Sequence, residues 1–135
     1  MASAVIPCLR YRDAARMIDW LCEAFGFVRH AVHPDADGVI AHAELTLGGG
    51  MIMVGEVREG DAFGKLQSTP QALGGTTQSA YLIVHDVDAV HGRAVAAGAE
   101  IVMPLEDHDY GGRGFSCRDP QGQLWSVGSY DPWRT

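Results

Sequence analysis

The second half of the chain repeats the pattern of the first. Residues 5–11 form a short apolar segment with strand alternation. Asp13 follows as a helix N-cap, and Ala14, Ile18, Leu21 and Phe25 recur at the spacing of one helix face. Gly26 closes that helix, because a glycine just past the last turn takes the left-handed conformation without steric cost. Three strands are predicted next, at 27–33, 39–47 and 51–56, separated by a turn-rich stretch at 34–38 and by Gly48, Gly49 and Gly50. The same order returns: a strand at 79–84, a cap at Asp86, a helical stripe of Val87, Val90, Ala94 and Ala97 ended by Gly98, and strands at 101–105, 114–118 and 124–130. Gly26 and Gly98 lie 72 residues apart, as do Gly50 and Gly122, whereas Asp13 and Asp86 lie 73 apart.

Two copies of so long a unit do not make a solenoid. They make a duplicated βαβββ module and predict an α+β fold. At 135 residues the chain is expected to be one domain. Its first module spans 4–56 and its second 79–130. The linker at 57–78 contains Gly60, Gly64, Pro70, Gly74 and Gly75 and reads as exposed loop.

The formal net charge is −7, which argues against a nucleic-acid or anionic-membrane surface, since both call for clustered Lys and Arg. A neutral or cationic small ligand fits that balance. Cys8, Cys22 and Cys117 are odd in number and show no CxxC spacing, as expected of free thiols in a reducing compartment. The first residues lack the basic and apolar regions of a signal peptide, and no apolar run approaches the roughly 20 residues of a membrane span. A cytoplasmic location is the expectation.

Three stretches carry a family resemblance: RYRDAARMIDWLCEAFGF, IAHAELTLGGGMIMVG and YGGRGFSCRDPQGQLWSVGSYDPW. They resemble the vicinal oxygen chelate superfamily, which includes glyoxalase I, extradiol dioxygenases, fosfomycin-resistance enzymes and bleomycin-resistance proteins. The last stretch is similar to the closing hairpin of the bleomycin-resistance-like branch. The resemblance implies that both modules form a U-shaped mixed sheet around a cavity, with helices on the convex side. It also implies a homodimer with the cavity near the interface.

Strand alternation sorts the side chains into two faces. Leu9, Tyr11, Ala43, Leu45, Met51, Met53, Leu82, Phe115, Cys117, Trp125 and Val127 fall on a nearly uniform apolar face, expected beneath the helices. Ile6, Cys8, Arg10, His42, Glu44, Ile52, Val54, Glu56, Ser79, Tyr81, Ser116, Ser126 and Tyr130 fall on a mixed face, expected to line a ligand cavity.

Metalloenzymes of the superfamily take ligands from the first and fourth strand of each module. The motif DPQGQLWS puts one such position at Ser126, and the repeat maps it to Val54; the first-strand positions fall at Ser79 and Ile6. None of the four offers a carboxylate, imidazole or thiolate, so no metal or other cofactor is expected.

His42 and Glu44, two apart on the mixed face, are the candidates for acid–base catalysis, or for a relocated metal site with His30. Cys8 beside Arg10 reads as a cavity thiol or as a small core hydrophobe. Arg113, in the loop that begins at Tyr110, reads either as an anion-binding group or as a structural ion pair. Glu44 and Glu56 can attract a cationic ligand, and Tyr81 and Tyr130 can stack on a planar one. Trp133 can cap the cavity or a dimer partner. The remaining histidines, His33, His85, His91 and His108, read as solvated, Trp20 as outer-layer packing and Trp125 as core.

Two functions follow from this reading. The first is a metal-free protein that binds a drug or natural product, planar, cationic or peptide-like, and confers antibiotic resistance by sequestration. The alternative is a glyoxalase-like lyase or isomerase, or a dioxygenase-related enzyme, working at His42 and Glu44.

Overall fold

The computed structural model describes residues 3–58 and 60–134. The first module runs β1 (Cys8–Tyr11), α1 (Ala14–Phe25), β2 (Val28–Pro34), β3 (Ile40–Leu47) and β4 (Gly50–Glu56). A one-turn helix, α2 (Pro70–Leu73), lies between the modules. The second runs β5 (Ala80–Ile83), α3 (Val87–Ala96), β6 (Glu100–Asp107), β7 (Arg113–Arg118) and β8 (Leu124–Gly128). The architecture is the expected α+β pair of βαβββ modules, built as two four-stranded mixed sheets rather than one continuous sheet. Their strand orders are β1-β4-β3-β2 and β5-β8-β7-β6. In each sheet the first strand pairs parallel with the last, and the other pairs are antiparallel. Among the described residues no helix is long and apolar enough to cross a membrane.

The amphipathic helix α1 holds the modules together. Its N-cap Asp13 accepts from the Arg16 N–H, and Gly26 at its C-terminus adopts φ 85°. Met17, Ile18, Leu21, Ala24 and Phe25 are buried on its inner face. α1 packs against α3, and Trp20 Nε1 donates to Ala97 O at 2.7 Å. Trp20 is therefore an inter-module tie, 7% exposed, rather than outer-layer packing. Phe25 lies against Trp125 of the second sheet, ring centroids 5.3 Å apart and planes tilted by 56°.

A buried carboxylate makes the second tie. Asp119, in the turn between β7 and β8, is 4% exposed. It accepts from the Tyr11 hydroxyl at 2.6 Å and from Trp125 Nε1 at 3.0 Å, and its other oxygen accepts the N–H groups of Gln121 and Gln123. Burial raises its carboxyl above the ordinary range, against the lowering effect of these four hydrogen bonds. Gln121 Oε1 accepts from the Arg12 and Asp13 N–H groups, and Gln123 Nε2 donates to Arg10 O. The DPQGQ turn thus docks on the β1–α1 junction of the other module.

One strand departs from the expected faces. Ile52 and Val54 are buried, because Leu45 pairs with Ile52 and Ala43 with Val54 across β3 and β4. Paired residues share a face, so Met51 and Met53 lie on the opposite side. Glu56 also sits on the helix side, where its Oε1 accepts the Ala14 N–H at the start of α1. Val54 and Glu56 are therefore a core residue and a helix cap, and neither lines a cavity.

The linker is more ordered than its glycines suggest. A 3-10 turn at Phe63–Lys65 precedes α2, whose N-cap Thr69 is 4% exposed and whose Pro70 is buried.

Candidate functional site

The sheet faces turned away from the helices carry the polar side chains. In the second module this face bounds a cavity of about 400 Å³, within the range of small-molecule sites. Ser79, Tyr81, Ser116 and Ser126 line it as the alternation predicts, and Ser116 Oγ lies 2.8 Å from Ser126 Oγ. Tyr110 lines it too, half-stacked over the rim: its ring is parallel to His108 at 4.9 Å and edge-on to Tyr130 at 5.3 Å. The Tyr81 hydroxyl donates to Tyr130 O at 2.8 Å, and burial raises its phenol above the ordinary value.

Two glycines make this surface possible. A Cβ on Gly128 would lie 2.6 Å from Tyr81 Oη, and one on Gly114 would meet Val127 O at 2.7 Å and the His108 ring at 3.3 Å. Only bare backbone lets the phenol and the imidazole come this close to the strands. The cavity also includes Met103, Pro104, Glu106 and His108, which sequence reasoning missed. His108 was expected in solvent. Glycines in strands β7 and β8 are the signal that could have found it, since strand glycines mark a close approach.

In the first module the same face carries a histidine cluster around one carboxylate. His42 Nε2 is 2.9 Å from Glu44 Oε2, and His30 Nε2 is 3.9 Å from Glu44 Oε1. His33 is exposed, as expected, and its ring stacks on that of His42 with centroids 6.0 Å apart. The His42 hydrogen bond is the main cause holding the Glu44 carboxyl below its ordinary range. The structure brings His42, Glu44 and His30 together, as expected. Yet among the described residues no group of three or more His, Cys, Asp or Glu side chains is placed to hold a metal ion.

The remaining expected residues have other occupations. Arg10 pairs with Asp61 and donates to Glu56 O at 3.2 Å, and its guanidinium lies 5.3 Å from the Phe63 ring centroid. It staples the start of the linker to β1, and its side chain is 11% exposed. Arg113 takes the ion-pair role, with Asp88 at 3.3 Å and Asp107 at 3.4 Å. Cys8 is exposed and its thiol faces Ile6 O at 3.7 Å, so it is not the core hydrophobe of the alternative reading. Trp133 is 89% exposed and takes no part in lining the tyrosine-walled cavity. His91 packs edge-on against Phe115 at 4.9 Å. Cys117 is buried, and burial pushes its thiol up to about 12, which removes it as a nucleophile.

The register also corrects the metal mapping. Cys8 pairs with Met53, and its counterpart Tyr81 pairs with Ser126, so Met53 and not Val54 is the structural equivalent of Ser126. The four positions then read Ile6, Met53, Ser79 and Ser126. One thioether, two hydroxyls and an alkyl group do not fit a divalent ion.

Comparison with known proteins agrees with this geometry. A family model described as "Glyoxalase/Bleomycin resistance protein/Dioxygenase superfamily" matches residues 4–127. The uncharacterized protein Mb0911c of Mycobacterium bovis is 40% identical over 125 residues, which span 93% of this chain and 82% of that protein. The crystal structure of TioX from Micromonospora sp. ML1 superposes with a TM-score of 0.69 at 36% identity, covering 94% of this chain and 98% of TioX. The fosfomycin resistance protein FosX from Mesorhizobium loti superposes with a TM-score of 0.66 over 99% of this chain and 97% of its own; at 13% identity this likeness is one of fold alone.

Proposed function

The chain belongs to the glyoxalase/bleomycin resistance protein/dioxygenase superfamily, and we propose that within it this protein binds a drug or natural product without a metal and confers resistance by sequestering it. The observation that carries this reading is the contrast on the sheet faces turned away from the helices. The positions where the superfamily's enzymes hold their metal are Ile6, Met53, Ser79 and Ser126, which supply no donor for it. Beside two of them, Ser79 and Ser126, the backbone is cleared by Gly114 and Gly128 for a cavity walled by Tyr81 and Tyr110. Tyrosine faces suit a planar ring, and their quadrupoles, with Glu106 nearby, suit a positive charge. The net charge of −7 favours the approach of a cation. The same reading takes the protein as a homodimer, to be checked by light scattering.

The test has two arms. Protein is incubated with nickel, manganese, iron and zinc, desalted, and its metal content measured by mass spectrometry. It is then titrated calorimetrically with bleomycin and with a planar cationic dye. Saturable binding of either compound, weakened by Tyr110→Ala, together with no stoichiometric metal, is the expected result. One retained metal per chain, or catalytic loss of a hemithioacetal, catechol or epoxide, would overturn it.

The hydrogen-bonded His42–Glu44 pair favours the second reading, an acid–base enzyme. Any turnover found should then vanish in His42→Ala; turnover that survives the substitution removes this reading.

A further inference from the structure

A larger cavity, of about 640 Å³, runs along the seam between the two sheets and shares only Ser79 with the tyrosine-lined one. One wall is β1 with residues 5–7 before it. The other is the start of β5 with residues 75–79. Residues 66–70 of the linker and Leu73 of α2 lie over them, and Gln123 and Leu124 close the end.

Its chemistry differs from the rest of the protein. Charged residues make up 20% of the chain, yet among the described residues lining this cavity none is Asp, Glu, Lys, Arg or His. A charged ligand entering it would lose hydration and find no counter-charge. The lining is instead amphipathic and neutral. Gln67, Gln78 and Gln123 supply amides, and Thr77 and Ser79 are among its hydroxyls. Leu66 and Leu73, 82% and 70% exposed, offer apolar surface with nothing yet upon it.

The walls also have a directional feature. β1 and β5 are the edge strands of their sheets, and an edge strand presents backbone groups to any chain laid beside it. At β1 two of these acceptors are already engaged by amide N–H groups. Gln67 Nε2 donates to Cys8 O at 2.9 Å and Gln123 Nε2 donates to Arg10 O at 3.1 Å. These alternate residues face the same side of the strand, where a paired strand would place its own N–H donors.

We propose that the seam is a second ligand site, specific for an uncharged, amide-rich molecule such as a short peptide-like chain lying along the β1 edge. Its N–H groups take over the Cys8 and Arg10 carbonyls from the two glutamines, and its side chains cover Leu66 and Leu73. Edge-strand addition of this kind draws affinity from the main chain and selectivity from the flanking side-chain positions. This goes beyond the binding function proposed above: the tyrosine-lined cavity is untouched if the seam proves empty.

The test uses the full chain and acetyl-Val-Ala-Leu-amide as probe, with acetyl-Val-Lys-Leu-amide and acetyl-Val-Asp-Leu-amide as charged counterparts. The readout is the side-chain NH₂ resonances of Gln67 and Gln123. The neutral peptide at millimolar concentration should shift both pairs, and both charged peptides should bind more weakly. Leu73→Asp, at an exposed position that leaves the core intact, should weaken binding about tenfold or more by setting a charge against the ligand. Thr77→Trp, which fills the seam, should do the same, while Tyr110→Ala should leave binding unchanged. The proposal is overturned if neither resonance moves, if the charged peptides bind as well as the neutral one, or if Tyr110→Ala abolishes binding while Leu73→Asp does not.

Discussion

Replacing Asp119 by Ala should cost about 4 kcal/mol of folding stability, close to the limit a domain of this size tolerates. The figure follows from what the carboxylate does. Tyr11 and Trp125 are both fully buried, so neither the hydroxyl nor the indole N–H can turn to water once Asp119 is gone. A buried donor left without a partner costs about 1–3 kcal/mol, so these two alone amount to roughly 2–6. The turn N–H groups of Gln121 and Gln123 add to that, and relief from burying a carboxylate subtracts. Asp119→Asn separates the contributions. It keeps an oxygen for the turn but points an NH₂ at the indole N–H, leaving one donor unmet, and should cost about 2 kcal/mol. Tyr11→Phe removes a donor instead of an acceptor and should cost less than either.

Urea unfolding followed by far-ultraviolet circular dichroism measures all three. For a domain of this length 1 kcal/mol moves the melting temperature by roughly 3–5 °C, so Asp119→Ala should melt about 12–20 °C below the parent. The reasoning is refuted if Asp119→Ala costs less than about 1 kcal/mol, or if Asp119→Asn is as damaging as Asp119→Ala. Either result would mean that the inter-module tie lies in the aromatic stack of Phe25 on Trp125 and not in the carboxylate.

Three further outcomes are expected. Gly128→Ala places a methyl 2.6 Å from Tyr81 Oη; it should expel the phenol, cost about 1–3 kcal/mol in a melt and weaken ligand binding in the tyrosine-lined cavity, whereas unchanged binding would show that Tyr81 is no part of that site. Glu44 has a folded-state pKa lowered by His42, so its contribution to stability is present above the unfolded value and is lost as pH falls through the folded one; Glu44→Gln should be less stable than the parent at neutral pH and converge with it in acid, and a gap that widens in acid would reverse the sign. Installing donors at the corrected positions, as Met53→Glu, Ser79→His and Ser126→Glu together, should create a protein that retains zinc or manganese through desalting; the same set with Val54→Glu in place of Met53→Glu should fail, because that carboxylate would point into the core.

That last contrast rests on how the sequence can be misread. The duplication, both long helices and all eight strands were legible, because hydrophobic periodicity and capping residues are local signals. The faces of β1, β3, β5, β7 and β8 were legible for the same reason. The face of β4 was not. Gly50 and Gly122 stand 72 residues apart, and taking them as equivalent maps Ser126 onto Val54. The structure closes the first hairpin with Leu47 opposite Gly50 and the second with the Asp119 N–H on Gln123 O. Two residues turn the first hairpin, Gly48 and Gly49, and three turn the second, Pro120, Gln121 and Gly122. The added residue lies in the second turn, so Gly122 answers to Gly49 and the strands beyond are offset by 73. A slip of one residue moves every side chain of a strand to its other face. It exchanged Met53 for Val54 at the metal position and put Glu56 in the cavity rather than on the helix cap. Glycine spacing could not expose this, because glycines tolerate either turn. The apolar pattern could not either, since residues 51–54 read Met-Ile-Met-Val and satisfy both registers. Only the neighbours across the sheet, Ala43 and Leu45, decide which pair is buried. One wall of the tyrosine-lined cavity escaped for a related reason: Met103, Glu106 and His108 reach it across bulged pairing between β6 and β7, where register shifts break the alternation that sequence reasoning depends on.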